Sequence, residues 1–328
     1  MSVQRRLAAR VAVIPTTTRA YVGLCVASIG WASAFIFGKV VLAEMGVLSA
    51  GAWRHALAAL VLLPFAWRGR RAANLRAALV PLALMVVCGG VLYPVTFFAA
   101  LQRTSATNTS LLIALNPAIT FMLSPLVGER YTRRGLVGIG LALVGATLVI
   151  THGDLAVLTS LSPSRVGDLL ALGAAAIWAT FNLGSRRVVT HLPHAVTNTV
   201  IYGLGSMALF AFAAPEHPWQ QAAHASPAAL GSLAAMVAFS SVLAGQLFLY
   251  GVHSVGVGRT VVFVYMVPVL TATASTVFLG EPLLLPQIIG GAAVLAGVYV
   301  TTRMPRAPSP APDGIETDGR VASTPVGR

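Results

Sequence analysis

Charge is what this 328-residue sequence has least of: 9% of its residues are Asp, Glu, Lys or Arg, against the ~25% usual in soluble domains. With 56% hydrophobic residues and a mean hydropathy of +0.80, that scarcity excludes a water-soluble enzyme. Acid is scarcer than base, nine Asp and Glu against 22 Lys and Arg, for a formal charge of +13. A nucleic-acid partner is nonetheless excluded, because the bases are almost all arginines set between apolar runs, where they orient a chain in a bilayer. Cysteine is nearly absent. Cys25 and Cys88 lie in apolar stretches with no Cys or His at ligand spacing, so neither a disulfide framework nor a metal site is expected. No phosphate loop of the form G-x4-G-K-[ST] occurs, and no nucleotide or other cofactor is expected. Nor is a carboxylate expected in mid-membrane: Glu44, Glu129, Asp154, Asp168, Glu216 and Glu281 fall at segment ends or in loops.

Long apolar runs are what the sequence has instead. They occupy 20–42, 48–67, 77–101, 106–127, 135–151, 166–185, 195–214, 228–250, 259–280 and 284–302, each near the ~20 residues that cross ~30 Å of hydrocarbon. The fold expected is therefore all-α and integral to the membrane, with ten transmembrane helices. Tails are expected at 1–19 and at 303–328, the latter rich in Pro, Gly, Asp and Ser and expected to be disordered. The first run is too long for a cleaved signal peptide and reads as a true span. With the N-terminus inside, seventeen arginines fall on cytoplasmic segments and two, Arg103 and Arg165, on outer loops. That asymmetry places both termini in the cytoplasm, in the cytoplasmic membrane.

The runs repeat. Trp31-Ala32-Ser33 with Lys39 matches Trp178-Ala179-Thr180 with Arg186 at a shift of 147; Pro117 before Gly128-Glu129 matches Pro268 before Gly280-Glu281 at 151 and 152; and Gly138 and Gly145 match Gly290 and Gly297 at 152. Each unit, 20–151 and 166–302, holds five spans. An odd number inverts the second copy relative to the first, the arrangement of many secondary transporters with a site at the midplane.

The paired W-A-[ST] stretches, Trp53-Arg54 opening the second span and the two Pro to Gly-Glu segments resemble the EamA-type members of the drug/metabolite transporter superfamily over residues 20–302. The resemblance implies ten spans in two five-helix repeats. It also implies movement of small metabolites, amino acids and their relatives among them, with export the expected direction, and no enzymatic activity. A channel, or less readily a membrane-embedded enzyme, is the alternative; the first lacks a filter-like loop and the second a cluster of His or Asp.

Polar and aromatic side chains at helical spacing mark candidate faces of a substrate cavity. They are Trp31 in the first span, Tyr93 and Phe97 in the third, Asn108 and Asn116 in the fourth, Trp178 and Asn182 in the sixth, Tyr202 in the seventh, and Gln246 and Tyr250 in the eighth. Helix-to-helix hydrogen bonding explains any one of them equally well. Arg54, His55 and Arg259 are cations in or at the ends of spans, able to meet a substrate carboxylate or to snorkel to the interface. The gate candidates are Lys39 with Glu281 on the outer side and Arg186 with Glu129 on the inner side, each pair joining opposite repeats.

Overall fold

The computed structural model describes residues 16–69, 75–127, 132–154, 162–188 and 191–302. Among the described residues every regular element is helical. Helix α1 is Thr16–Leu42 and α2 is Val47–Gly69. Helix α3 joins Leu75–Met85, a π-helical stretch Val86–Leu92 and Tyr93–Arg103, and α4 joins Ala106–Ile113 to Asn116–Leu123. Next come α5 (Arg133–Thr151), α6 (Pro163–Val188) and α7 (His194–Phe212). Helix α8 again has three parts, Pro227–Ala235, the π-helical Met236–Leu243 and Ala244–Val255. Helix α9 joins Val257–Val264 to Met266–Leu279, and α10 is Leu285–Thr302. Nine of these runs are long and apolar enough to cross a membrane, and α10 is a shorter apolar helix. Each coincides with an apolar run of the sequence to within a few residues. The expected N-terminal tail, by contrast, is already helical from Thr16, and its first fifteen residues and the tail 303–328 lie outside the described residues.

Two long helices break for one reason. Proline has no N–H and its ring clashes with the carbonyl four residues earlier. Pro117 lies four residues after Ile113, the last residue of the first half of α4, and Pro268 four residues after Val264, the last of the first half of α9. At the first break the Asn116 side-chain amide donates to the Ile113 carbonyl at 3.3 Å, so a buried acceptor released by the proline is satisfied locally. The π-helical stretches of α3 and α8 start at Val86 and Met236, positions that correspond in the two halves of the chain. Such stretches, like broken helices, place irregular backbone at membrane depth, where it is tolerated only against protein or a wet cavity.

Packing follows the small residues. In lipid, apolar helices gain nothing by leaving solvent, so close backbone approach decides which of them pair. Helix α5 packs along α10, and α2 along α7. On α5, a Cβ at Gly145 would lie 2.5 Å from the Gly290 carbonyl oxygen; on α10, one at Gly297 would lie 2.5 Å from that of Gly138. Only glycine fits at those two positions. Helix α1 packs against α8 and α9, and α6 against α3 and α4, while α3 also touches α7 and α2 touches α8. Advancing both members of a pair by five helices turns α1–α8 into α6–α3, α1–α9 into α6–α4 and α3–α7 into α8–α2, and returns α5–α10 and α2–α7 to themselves. Beyond the membrane-length helices, the two-turn helix Pro218–His224 lies between α7 and α8, where the sequence reading has only a loop.

Candidate transport site

Midway along α3 and α6 the structure collects one continuous aromatic group. Trp178 of α6 lies 4.7 Å from Tyr93 of α3 and 4.7 Å from Phe181, centroid to centroid. Tyr93 then stacks on Phe97 at 5.9 Å, and Phe97 meets Phe35 and Phe98 at 5.3 and 5.2 Å. Phe97 is buried while Trp178 and Tyr93 are half-buried, so the group has a core side and an accessible side. Below it, Asn182 donates to the side-chain oxygen of Asn116 at 3.4 Å, tying α6 to the break in α4. Thus Tyr93, Phe97, Asn116, Trp178 and Asn182 come together.

The other expected cavity residues are placed apart. Trp31 is half-buried against Phe248 of α8 at 5.3 Å. Tyr202 of α7 lies 4.8 Å from the His55 ring on α2. Gln246 and Tyr250 are exposed, on the opposite side of α8 from Leu247, Phe248 and Gly251, which meet α1. Arg259 is exposed at the start of α9. Asn108 is 1% exposed in a separate polar knot, where its amide donates to Asp168 at 3.2 Å and its carbonyl accepts from Gln287 at 2.7 Å. Thr104 completes the knot by donating to the same Asp168 oxygen at 2.7 Å.

Asp168 lies toward the start of α6, at a segment end as the sequence suggests, but it is buried there. It is 1% exposed, and its second carboxylate oxygen is buried without a partner among the described residues. Its position inside the apolar run 166–185 was the available signal, since a carboxylate within a span is costly unless it serves a purpose. Gln287, Ser240 and Ser241 had no such signal: their roles depend on which helices become neighbours.

At the end of the bundle that the charge count assigns to the outside, carboxylates close the gaps between helices. Glu281, in the turn after α9, lies 3.8 Å from Lys39 Nζ on α1 and accepts the Ala106 amide at 3.0 Å at the start of α4. Lys39 also donates to the Thr104 carbonyl at 2.7 Å. Glu216 accepts from the Ser49 amide and hydroxyl at 2.8 Å each at the start of α2, and Glu44 accepts from the Ser226 amide and hydroxyl at 2.6 Å each before α8. Those two bonds, the hydroxyl's first, hold the Glu44 carboxyl below the usual range. Each glutamate thus supplies negative charge to a helix N-terminus far away in sequence, where amide donors and the helix dipole favour it. At the other end, Glu129 and the side chain of Arg186 lie outside the described residues.

Arg54 stands between the two regions. Its Nε donates to Ser241 and its Nη2 to Ser240, both at 3.2 Å, in the π-helical part of α8. The guanidinium carbon lies 5.8 Å from the centre of the Phe97 ring and 6.0 Å from that of Phe98.

The chain belongs to the EamA-like transporter family, which it matches over residues 18–151 and again over 165–303. It is a multi-pass membrane protein of a transporter family. It is 29% identical over 292 residues, 88% of this chain and 95% of the other, to "Uncharacterized transporter YyaM" of Bacillus subtilis (strain 168). It is 25% identical over 82% of its length, and 90% of the relative's, to "Probable amino-acid metabolite efflux pump" of Salmonella typhimurium (strain LT2). A solved crystal structure superimposes with a TM-score of 0.57 at 18% identity, covering 86% of this chain and 96% of that one. That likeness concerns the fold alone.

Proposed function

We propose that this chain is a secondary transporter that exports a small metabolite, an amino acid or a related compound, across the cytoplasmic membrane by alternating access. The reading takes ten spans in two inverted five-helix repeats, 20–151 and 166–302, with both termini in the cytoplasm. Exchange of packing partners between the halves, with matched proline breaks and π-helical stretches, supports the inversion.

One observation carries the proposal: the Lys39 to Glu281 contact joins α1 to the turn after α9. That is a contact between repeats at one end of the bundle, above an aromatic group that also lies between repeats. Closing one end over a central site is half of an alternating-access cycle. The other half falls to Arg186 and Glu129, which the repeat places at the opposite end in the same relation. Of the expected lining residues, the cavity takes Tyr93, Phe97, Asn116, Trp178 and Asn182, the five that come together. Amino-acid export follows the relative named as an amino-acid metabolite efflux pump.

The test is counterflow in liposomes holding purified full-length protein, each preloaded with one amino acid or amine and supplied outside with the labelled compound. Accumulation driven by the preload is expected for at least one compound and is absent from protein-free liposomes. Large unitary currents across a bilayer, without counterflow of any compound, would instead make the protein a channel.

A further inference from the structure

We propose that Arg54 is the anchor for a substrate carboxylate, with the ring wall Phe97, Tyr93 and Trp178 receiving an apolar body, so that the site selects small organic acids with an apolar or aromatic part. The proposal rests on the transporter reading above and names the ligand chemistry of that same site.

Arg54 is the eighth residue of α2, so it lies ~10 Å along the helix from its start at ~1.5 Å per residue. A guanidinium at that depth is costly to insert and calls for a partner or a function. Its only hydrogen-bond partners among the described residues are two neutral hydroxyls, Ser240 and Ser241, and no carboxylate lies within 4.0 Å of it there. The Phe97 and Phe98 rings soften the cost without neutralising the charge. Five N–H donors serve a guanidinium, and the two serines use two of them. The Nη1 group makes no hydrogen bond among the described residues, and it is not among the atoms sealed from solvent without a partner. One edge of the fork is therefore free to meet a planar anion, the geometry in which arginine and carboxylate pair most strongly.

The next residue, His55, is not part of this edge: it is 6% exposed and its ring packs 4.8 Å from that of Tyr202 on α7. From Arg54 the rings then run without interruption, Phe97 to Tyr93 at 5.9 Å and Tyr93 to Trp178 at 4.7 Å. An acid held at Arg54 lays its apolar part along that wall, toward the Asn116 and Asn182 pair.

A purely structural Arg54 would be a tie between α2 and α8, and the test separates the two roles. Binding of 3-phenylpropionate and of L-phenylalanine, each against its carboxamide, is measured by tryptophan fluorescence on the full-length protein in lipid nanodiscs. The wild type is expected to bind at least one acid about tenfold more tightly than its amide, as loss of a charge-assisted pair implies. Arg54→Gln abolishes that preference, and Arg54→Lys, which keeps the charge but loses the fork, retains part of it. Replacing Ser240 and Ser241 together by alanine removes the tie and leaves the preference in place. Failure of both acids to bind, equal binding of acid and amide, or a preference that survives Arg54→Gln overturns the proposal. Counterflow of an amine such as putrescine with no acid preference would sink this inference alone. Absence of counterflow for every compound tried would sink the transporter reading.

Discussion

Glu281 receives Lys39 from α1 at 3.8 Å and the Ala106 amide from the start of α4 at 3.0 Å, so one carboxylate holds three separate segments together. The side chains are 17% and 26% exposed, so the pair is better shielded than an open surface bridge, whose worth is ~0–1 kcal/mol. Charge reversal at Glu281 alone, Glu281→Lys, is therefore expected to reduce transport severely. Adding Lys39→Glu should recover only part of it, because a lysine at 281 cannot accept the Ala106 amide. A double variant no better than the worse single variant, measured by counterflow, would remove the ion pair from the gate.

The α5 and α10 seam predicts a steep size limit. Gly145→Val forces a side chain against the backbone of α10, where overpacking costs ~1–3 kcal/mol. Gly140→Ala, on the same helix with open space around its position, should be neutral. Thermal unfolding in detergent compares the two, and equal midpoints would show that the helices do not pack through those glycines.

Much of this was legible in advance, and the reason is physical. In a bilayer every backbone group must be satisfied within a helix, so apolar run length translates directly into a span. Proline alone does not locate a break: Pro117 and Pro268 each follow one, whereas α2 continues through Pro64 and α3 through Pro81. Periodicity could mark the stripe with Gln246 and Tyr250, but it could not say which neighbour that stripe faces, and the structure leaves both exposed. The polar knot of Asp168, Asn108, Thr104 and Gln287 draws on α6, α4, the α3 to α4 turn and α10. No local pattern links four such segments. The Lys39 and Glu281 contact matches the pairing expected from the repeated segments, which an inverted arrangement would bring together at one end.

Asp168 has one oxygen paired twice and one unpaired. Asp168→Asn keeps an acceptor for Thr104 and Asn108 and is expected to leave stability near the wild type. Asp168→Leu strands both donors, at ~1–3 kcal/mol for each buried group left unsatisfied. Unfolding midpoints that fall equally in the two variants would mean that the charge, and not the acceptor, is what the knot requires.

Trp178 touches Tyr93 on one side and Phe181 on the other. Trp178→Phe preserves a ring between them and should retain most transport. Trp178→Ala opens the wall and should lower it about tenfold or more, since one large aromatic surface is worth several times RT. Equal transport in the alanine variant would show that substrate does not pass this wall.

The most direct measurement asks whether the Lys39 end must open in each cycle. In a background with Cys25 and Cys88 replaced by alanine, Lys39→Cys and Glu281→Cys are combined and joined by a short bifunctional maleimide, and counterflow is recorded before and after. Cross-linking is expected to abolish counterflow while either single cysteine variant, treated alike, keeps the rate it had before treatment. Undiminished counterflow with the two segments covalently joined would contradict alternating access at this end of the bundle.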